Sequence, residues 1–398
     1  MRSIDIDATL DWLIGGIPGA RTPVDVVGRI GPELLQAGIP LARTEAFVRT
    51  LHPHIAGRSF LWVPGRPVDV RENTFSYLNS PEFQETPAAE VFQTGAPVRV
   101  RLTSDGDALA RFPALAVLDR DGFTDFLAGP LTFLSGQIHA ITFATRAPGG
   151  FSEAHIEALL RVLPPLSRIA EILALSRTAT NLLNAYVGHD AGERILSGQI
   201  QRGETTTLRA VLWFSDLRGF TSISSVLTPN EVIRMLNDLF DCQVPAIEAH
   251  GGQVLKFMGD GLLAVFPVEP VEPAEVALAS ARTQCDRALR AASASFGRLA
   301  ELNRRRAATG LEDMRFGLAL HVGEMAYGNI GGSARQDFTC IGAAVNLAAR
   351  LEGLTAKLGR PLVVSDVFAG LVDRPFESLG RFELKGVPEP AEVFAPVD

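Results

Sequence analysis

Two kinds of hydrophobic spacing alternate along the first part of the chain. Residues 1–15 and 24–37 carry apolar positions at helical spacing. Residues 60–63, 98–102, 114–118 and 138–144 are short apolar or alternating stretches bounded by Pro- and Gly-rich turns, which predicts strands. Ser152 then offers an N-cap. The run Ile156, Leu159, Leu160, Leu163, Leu166, Ile169, Ile172 and Leu173 predicts a helix to about residue 175. Pro164-Pro165 falls inside that run and is expected to kink or split it. Residues 181–196 are mostly helical in pattern, with breaks at Gly188 and Gly192, and 198–204 reads as a turn.

The pattern sharpens from residue 208. Arg209-Ala210-Val211-Leu212-Trp213-Phe214 is nearly continuous apolar sequence, as in a strand buried on both faces. Thr228-Pro229-Asn230-Glu231 combines a cap, a proline at the first helical position and a capping-box glutamate. The helix it opens is expected to bend or end at Pro245. Residues 253–257 and 262–266 read as strands joined by Met258-Gly259-Asp260-Gly261, a hairpin on turn chemistry. A long helix over 273–307 follows, then strands at 316–322, 325–330, 338–341 and 362–364, with a helix over 343–354 among them. The fold class is α+β. The expected organisation is a domain over 1–175, a helical linker over 176–207 and a second domain over 208–398.

Composition removes several classes of function. A length of 398 residues suggests two or three domains, at about 150 residues each. A net charge of −8 lacks the basic field of a nucleic-acid binder, so no nucleic-acid partner is expected. No apolar run approaches the roughly 20 residues that span a bilayer, so no integral membrane segment is expected. The N-terminus has acids where a secretory signal has a basic and then an apolar region. Cys242, Cys285 and Cys340 are odd in number and widely spaced, fitting neither a disulfide framework nor a zinc site; a reducing cytoplasm is the expected location. His52 and His54 lack an evident third ligand and read as ordinary histidines.

The candidate chemistry lies in the second half. Asp216 ends a buried strand and Asp260 sits at a hairpin tip 44 positions later. If the two strands are neighbours, both carboxylates converge on one edge and offer the hard oxygen ligands that Mg²⁺ takes. Taken singly, Asp216 also reads as a strand-end residue and Asp260 as the acid of an Asp-Gly turn. Phe220 and Thr221, in Gly219-Phe220-Thr221-Ser222, stand where backbone N–H groups can cradle phosphate, or in a plain glycine turn. Asn346 and Arg350 lie four apart on a helix and share a face.

Three blocks carry a resemblance: Phe-Ser-Asp-Leu-Arg-Gly-Phe-Thr (214–221), Lys-Phe-Met-Gly-Asp-Gly (256–261) and Val-Asn-Leu-Ala-Ala-Arg (345–350). In order and distance they resemble the signature blocks of class III nucleotidyl cyclases, over roughly residues 205–395. The resemblance implies a ferredoxin-like catalytic domain in which Asp216 and Asp260 hold two Mg²⁺ ions, with Mn²⁺ as the alternative. It implies that Lys256 and Thr339 read the base, that Asn346 places the ribose, and that Arg350 stabilises charge on the α-phosphate. Arg360 and Lys385 match positions that contact the terminal phosphates. Lys256 stands where guanine-specific members carry Glu, and Thr339 resembles the class IIIb subgroup of adenylate cyclases, several of them bicarbonate-responsive. The substrate implied is ATP, and sites shared between two catalytic domains imply a homodimer. Guanylate cyclase and a non-catalytic nucleotide-binding module are the alternatives. One departure is Ala343, where relatives often have Asp; it bears on helix capping or subunit contacts. Residues 1–175 resemble a GAF-like sensor domain, with a PAS-like domain as the near competitor, on size, strand-rich middle and a closing helix that begins Gly150-Phe151-Ser152. A regulatory role and a small-molecule effector are the corresponding expectations.

Overall fold

The computed structural model describes residues 4–50, 55–102, 106–270, 272–333 and 335–397. His52 and His54 lie outside them. The chain divides into two compact units, Met1–Asn181 and Leu182–Asp398.

In the first unit, α1 (Asp7–Ile14) and α2 (Pro23–Gln36) precede β1 (Arg43–Arg49), β2 (Gly57–Trp62) and β3 (Asp69–Asn73). Short helices α3 (Phe75–Leu78), α4 (Pro81–Gln84) and α5 (Pro87–Thr94) lead to β4 (Val98–Arg101), α6 (Gly106–Arg111) and α7 (Ala116–Arg120). Strands β5 (Asp125–Thr132) and β6 (Ile138–Thr145) and the helix α8 (Glu153–Val187) follow. The six strands form one antiparallel sheet in the order β3-β2-β1-β6-β5-β4. Helices α2 and α8 bury Val26, Ile30, Leu34, Leu159, Leu163 and Leu166 with Phe60, Leu131 and Ile141 of the sheet.

One expectation fails here, and of the kink or split expected at Pro164-Pro165 the split does not occur. Residues 114–118 are helical: a 3₁₀ turn at Pro113–Leu115 runs into α7. Phe112, Leu115 and Leu118 are buried three apart, and Pro113 presets a helical φ at the first turn. The helix α8 passes through Pro164-Pro165 without a break. Val162, Leu163, Leu166 and Ile169 hold its inner side in the core, and Pro164 is exposed.

The second unit takes in the end of α8 from Leu182 and then α9 (His189–Leu196), which starts at Gly188 and contains Gly192. Then come β7 (Thr205–Leu217), α10 (Phe220–Ser224), α11 (Pro229–Ala249), β8 (Gln253–Met258), β9 (Gly261–Pro267) and α12 (Ala274–Ala308). Next are β10 (Phe316–Gly331), β11 (Gln336–Ile341), α13 (Ala343–Leu358), β12 (Leu362–Ser365), α14 (Asp366–Ala369), β13 (Phe376–Phe382) and β14 (Ala391–Pro396). The sheet order is β13-β14-β12-β10-β7-β9-β8, with β11 paired to β10. The two strands expected at 316–322 and 325–330 are one, because β10 pairs with β7 continuously from Phe316 to Gly328. Helix α11 runs on past Pro245 to Ala249.

Alternation along β7 explains its unbroken apolar run. Val211, Trp213 and Leu217 face a core with α11 and α12, whereas Ala210 and Leu212 face one with β11 and α13. No helix among the described residues is long and apolar enough to cross a membrane.

Candidate active site

The central strands end in acids. In β7, Asp216 stands opposite Gly261, the first residue of β9. Asp260 occupies the turn just before it, after Gly259 with φ +67°. The two carboxyl groups come within hydrogen-bonding reach of each other. Burial, and after it the Asp260 charge, pushes Asp216 up from its ordinary 3.8 to about 6. Beneath the pair the strand is fixed by a buried polar chain: Trp213 Nε1 donates to Ser215 Oγ (3.4 Å), which donates to Gln243 Oε1 of α11 (2.6 Å).

A third acid near the pair escapes the sequence reading. Glu352 of α13 is pushed up to about 7, mainly by burial and next by Asp216, while Arg218 pulls the other way. Its carboxylate lies against Gly317 of β10, where a Cβ would collide with it. Gly317 in turn pairs with Asp216. The signal was present: Glu352 sits beside Leu351 and three before Thr355, in the stripe that α13 buries. A charge at such a position is the informative exception.

Asn346 and Arg350 are exposed on α13. At 100° per residue, Arg350 points about 160° away from Glu352. The structure therefore does not bring Asn346 and Arg350 to the carboxylate pair of their own chain. Arg350 makes no ion pair among the described residues. Gly342 begins α13 with no side-chain cap, and Asn346 N–H donates to its carbonyl (3.2 Å).

Lys256 of β8 is ion-paired with Asp337 of β11, and Thr339 lies two residues further on that strand. Phe220 and Thr221 open α10 after Gly219, which has φ +75°. Phe220 packs on the core and Thr221 is exposed. Arg360 gives its guanidinium to Glu377 (2.7 Å), and its carbonyl accepts from Arg218 (2.5 Å). Lys385 is exposed between β13 and β14.

The donor set suits a hard divalent ion. Two carboxylates held together repel, and a cation relieves that repulsion. No cluster of three or more His, Cys, Asp or Glu side chains suited to a metal forms among the described residues. The remaining ligands would be oxygens from outside the protein, water among them, as Mg²⁺ prefers.

Residues 204–395 match the family model of the adenylate and guanylate cyclase catalytic domain. An adenylate cyclase of Anabaena cylindrica is 34% identical over 171 residues, 42% of this chain and 31% of that protein. Adenylate cyclase 1 of Rhizobium meliloti is 33% identical over 175 residues, 44% of this chain and 25% of that protein. The chain thus spans less than a third of the length of these curated relatives. Among solved structures, the adenylyl cyclase CyaB from P. aeruginosa is 25% identical over 49% of this chain and 96% of its own, with a TM-score of 0.43. The guanylyl cyclase Cya2 is 30% identical over 48% of this chain and 92% of its own, with a TM-score of 0.38.

Proposed function

From the premise that residues 204–395 are a class III nucleotidyl cyclase catalytic domain, we propose that this protein converts ATP to 3′,5′-cyclic AMP and pyrophosphate. The observation that carries the reading is the convergence of Asp216 and Asp260 at the ends of neighbouring strands. The ribose 3′-oxygen bonds to the α-phosphorus, the bond from that phosphorus to the pyrophosphate oxygen breaks, and the hydroxyl proton is released. Asp216 and Asp260 would hold the divalent ions, Mg²⁺ or Mn²⁺. Bound there, such ions supply acidification of the hydroxyl and charge neutralisation of the leaving group. Lys256 and Thr339 contact the base, Asn346 the ribose, and Arg350 offers a permanently charged fork to the α-phosphate. Arg360 and Lys385 take the terminal phosphates, which requires Arg360 to leave Glu377.

Two copies of the chain build each site in this proposal. Its support is the rotation of α13, which turns Arg350 away from the Asp216 side. A second support is an exposed apolar row on α8, Ile172, Leu175, Ala179, Leu182 and Tyr186, spaced 3-4-3-4 as in a two-helix seam. The first unit is read as a GAF-like regulatory domain. Its sheet order supports this. So does a cavity of about 260 Å³ between the sheet and helices α3, α4, α5 and α7, lined by Arg43, Glu45, Tyr77, Phe83 and Thr142, which suits a small-molecule effector.

The test is product analysis of full-length protein with ATP and GTP, each with Mg²⁺ and Mn²⁺. Cyclic AMP lost on Asp216→Ala supports the reading. Cyclic GMP as the sole product moves it to guanylate cyclase. Nucleotide binding without turnover moves it to a binding module.

A further inference from the structure

A second cavity lies in the first unit, on the sheet face opposite the effector cavity. Along β1 and β2, Ala46, Val48, Arg58 and Phe60 alternate with Phe47 and Ser59, so the even positions face α2 and α8 and the odd ones the effector cavity. Val27, Leu131, Ile141, Leu166 and Ile169 form the floor of the second cavity, and all five are buried. Small residues keep it open: Ala46 of β1 and Ala170 and Ala174 of α8 stand around it, where larger side chains would close it. Its volume is about 60 Å³. A water takes about 30 Å³ in the liquid, and a methylene is of similar size. A chain of a few carbons therefore fits, and a long lipid tail does not.

The mouth of this cavity is cationic. Among the described residues no Asp or Glu lines it, and its charged lining residues are Arg49, Arg58 and Arg177. Arg49 turns its guanidinium to the other sheet face, 6.0 Å from the Phe92 ring. Arg58 gives Nε and Nη2 to one oxygen of Glu72 on β3, and its Nη1 takes part in neither bond. Arg177 is exposed and makes no ion pair among the described residues. Thr178 and Asn181 add neutral polar groups. Two arginines against Glu72 leave a single positive charge at the mouth, which one carboxylate balances, and a guanidinium fork matches that group in shape. At 100° per residue, the side of α8 that carries Leu166, Ala170, Leu173 and Arg177 is centred about 170° from its exposed row Ile172 to Tyr186. Pairing along that row therefore leaves the mouth open.

We propose that this cavity binds a small monocarboxylate with a short apolar tail. The tail enters between α2, α8 and the sheet, and the carboxylate stays at the mouth on Arg177 and the free edge of Arg58. The site is separate from the effector cavity and independent of the cyclase reading.

The experiment titrates pentanoate, 1-pentanol and pentylamine into full-length protein by calorimetry. Pentanoate is expected to bind saturably at about millimolar concentration, as suits so small a ligand. 1-Pentanol is expected to bind at least about tenfold more weakly, and pentylamine not at all. The Arg58→Gln/Arg177→Gln double variant is expected to weaken pentanoate at least about tenfold and to leave 1-pentanol as it was. Ala170→Leu and Ala174→Leu, which fill the cavity, are expected to abolish binding of both, and Thr142→Val, in the effector cavity, to change neither. Absence of saturable pentanoate binding, equal binding of acid and alcohol, or undiminished pentanoate binding in a leucine variant that folds overturns the proposal. Should neither leucine variant fold, methyl NMR of the wild type decides. Pentanoate must then shift the methyls of Val27, Leu131 and Leu166, and shifts confined to other residues overturn the proposal equally.

Discussion

Replacing Asp216 by Asn should make the metal-free protein more stable while destroying its proposed activity. Asp216 is held at about 6 in the folded chain against an ordinary 3.8, by burial and by the Asp260 charge. That rise corresponds to about 3 kcal/mol, at about 1.4 kcal/mol for each tenfold change in proton affinity. The carboxyl is only half-buried, and solvent screening reduces the figure to about 1–2 kcal/mol. The sign follows from proton uptake. Between pH 4 and 6 the folded state binds the proton more tightly than the unfolded state, so stability falls as pH rises through that window. The cost is absent below pH 4 and complete above pH 7. Asn keeps the size and can donate to Asp260 without carrying the charge. Its melting temperature in chelator should therefore exceed wild type by about 2–8 °C at pH 8 and match it at pH 4, for a unit of this size. Glu352, raised partly by Asp216, should relax in the same variant and steepen the difference near pH 7. Mg²⁺ should raise the wild-type melting temperature and leave the variant unmoved. A variant that melts below wild type at pH 8, or by an equal offset at both pH values, refutes the claim that this corner carries uncompensated charge.

Three further outcomes are expected. Gly317→Ala drives a methyl into Thr355 and Glu352 and should cost about 1–3 kcal/mol, read as a lower urea midpoint with an unchanged slope. Mixing inactive Asp216→Ala with inactive Arg350→Ala in equal amounts should restore about a quarter of wild-type activity, because half of the pairs are mixed and each mixed pair has one intact site; no recovery after subunit exchange would place both residues in one chain's site. Removing residues 1–175 should change the specific activity at fixed protein concentration or the concentration at which it is half-maximal, and a truncated chain identical in both makes the first unit passive.

The elements nearest the proposed chemistry were the most legible in the sequence. An apolar run ending in Ser-Asp, and Gly-Asp-Gly between two short strand-like stretches, state a strand end and a hairpin tip without help from the rest of the fold. That the two strands are neighbours is a long-range fact, which the spacing alone left open. The first unit was harder for physical reasons. Strand β1 places Arg43 and Glu45 with Phe47 on its cavity side and shows no clean polar–apolar alternation. Strand β5 contains Gly129-Pro130, which reads as a turn. In the fold, Gly129 lies where a Cβ would strike Leu163 of α8, and Pro130 falls beyond the end of β4, whose pairing covers only Asp125–Ala128, so its missing N–H costs the ladder nothing on that side. Both residues answer to neighbours distant in sequence.

Helix α13 carries both the inward acid and the outward base of the proposed site. Its inner stripe, Ala344, Ala348, Leu351 and Leu354, packs on the sheet, and Gly323 lets Ala344 approach to where any side chain on the strand would intrude. That packing fixes the helix rotation, and the rotation decides what each polar residue can reach. Glu352 is turned toward Asp216 of its own chain, while Asn346 and Arg350 are turned outward. A residue on each side of one rigid cylinder cannot move alone. A shift of α13 that brings Arg350 toward a nucleotide held by a second copy must also change how closely Glu352 crowds the acids of its own. In a paired assembly the two sites would therefore be coupled through this helix. Glu352→Gln, which removes the inward charge and leaves Arg350 intact, should alter the apparent cooperativity between sites more than the rate at saturating ATP. A variant that scales the rate alone, with the shape of the substrate curve unchanged, would show that the two faces of α13 act independently.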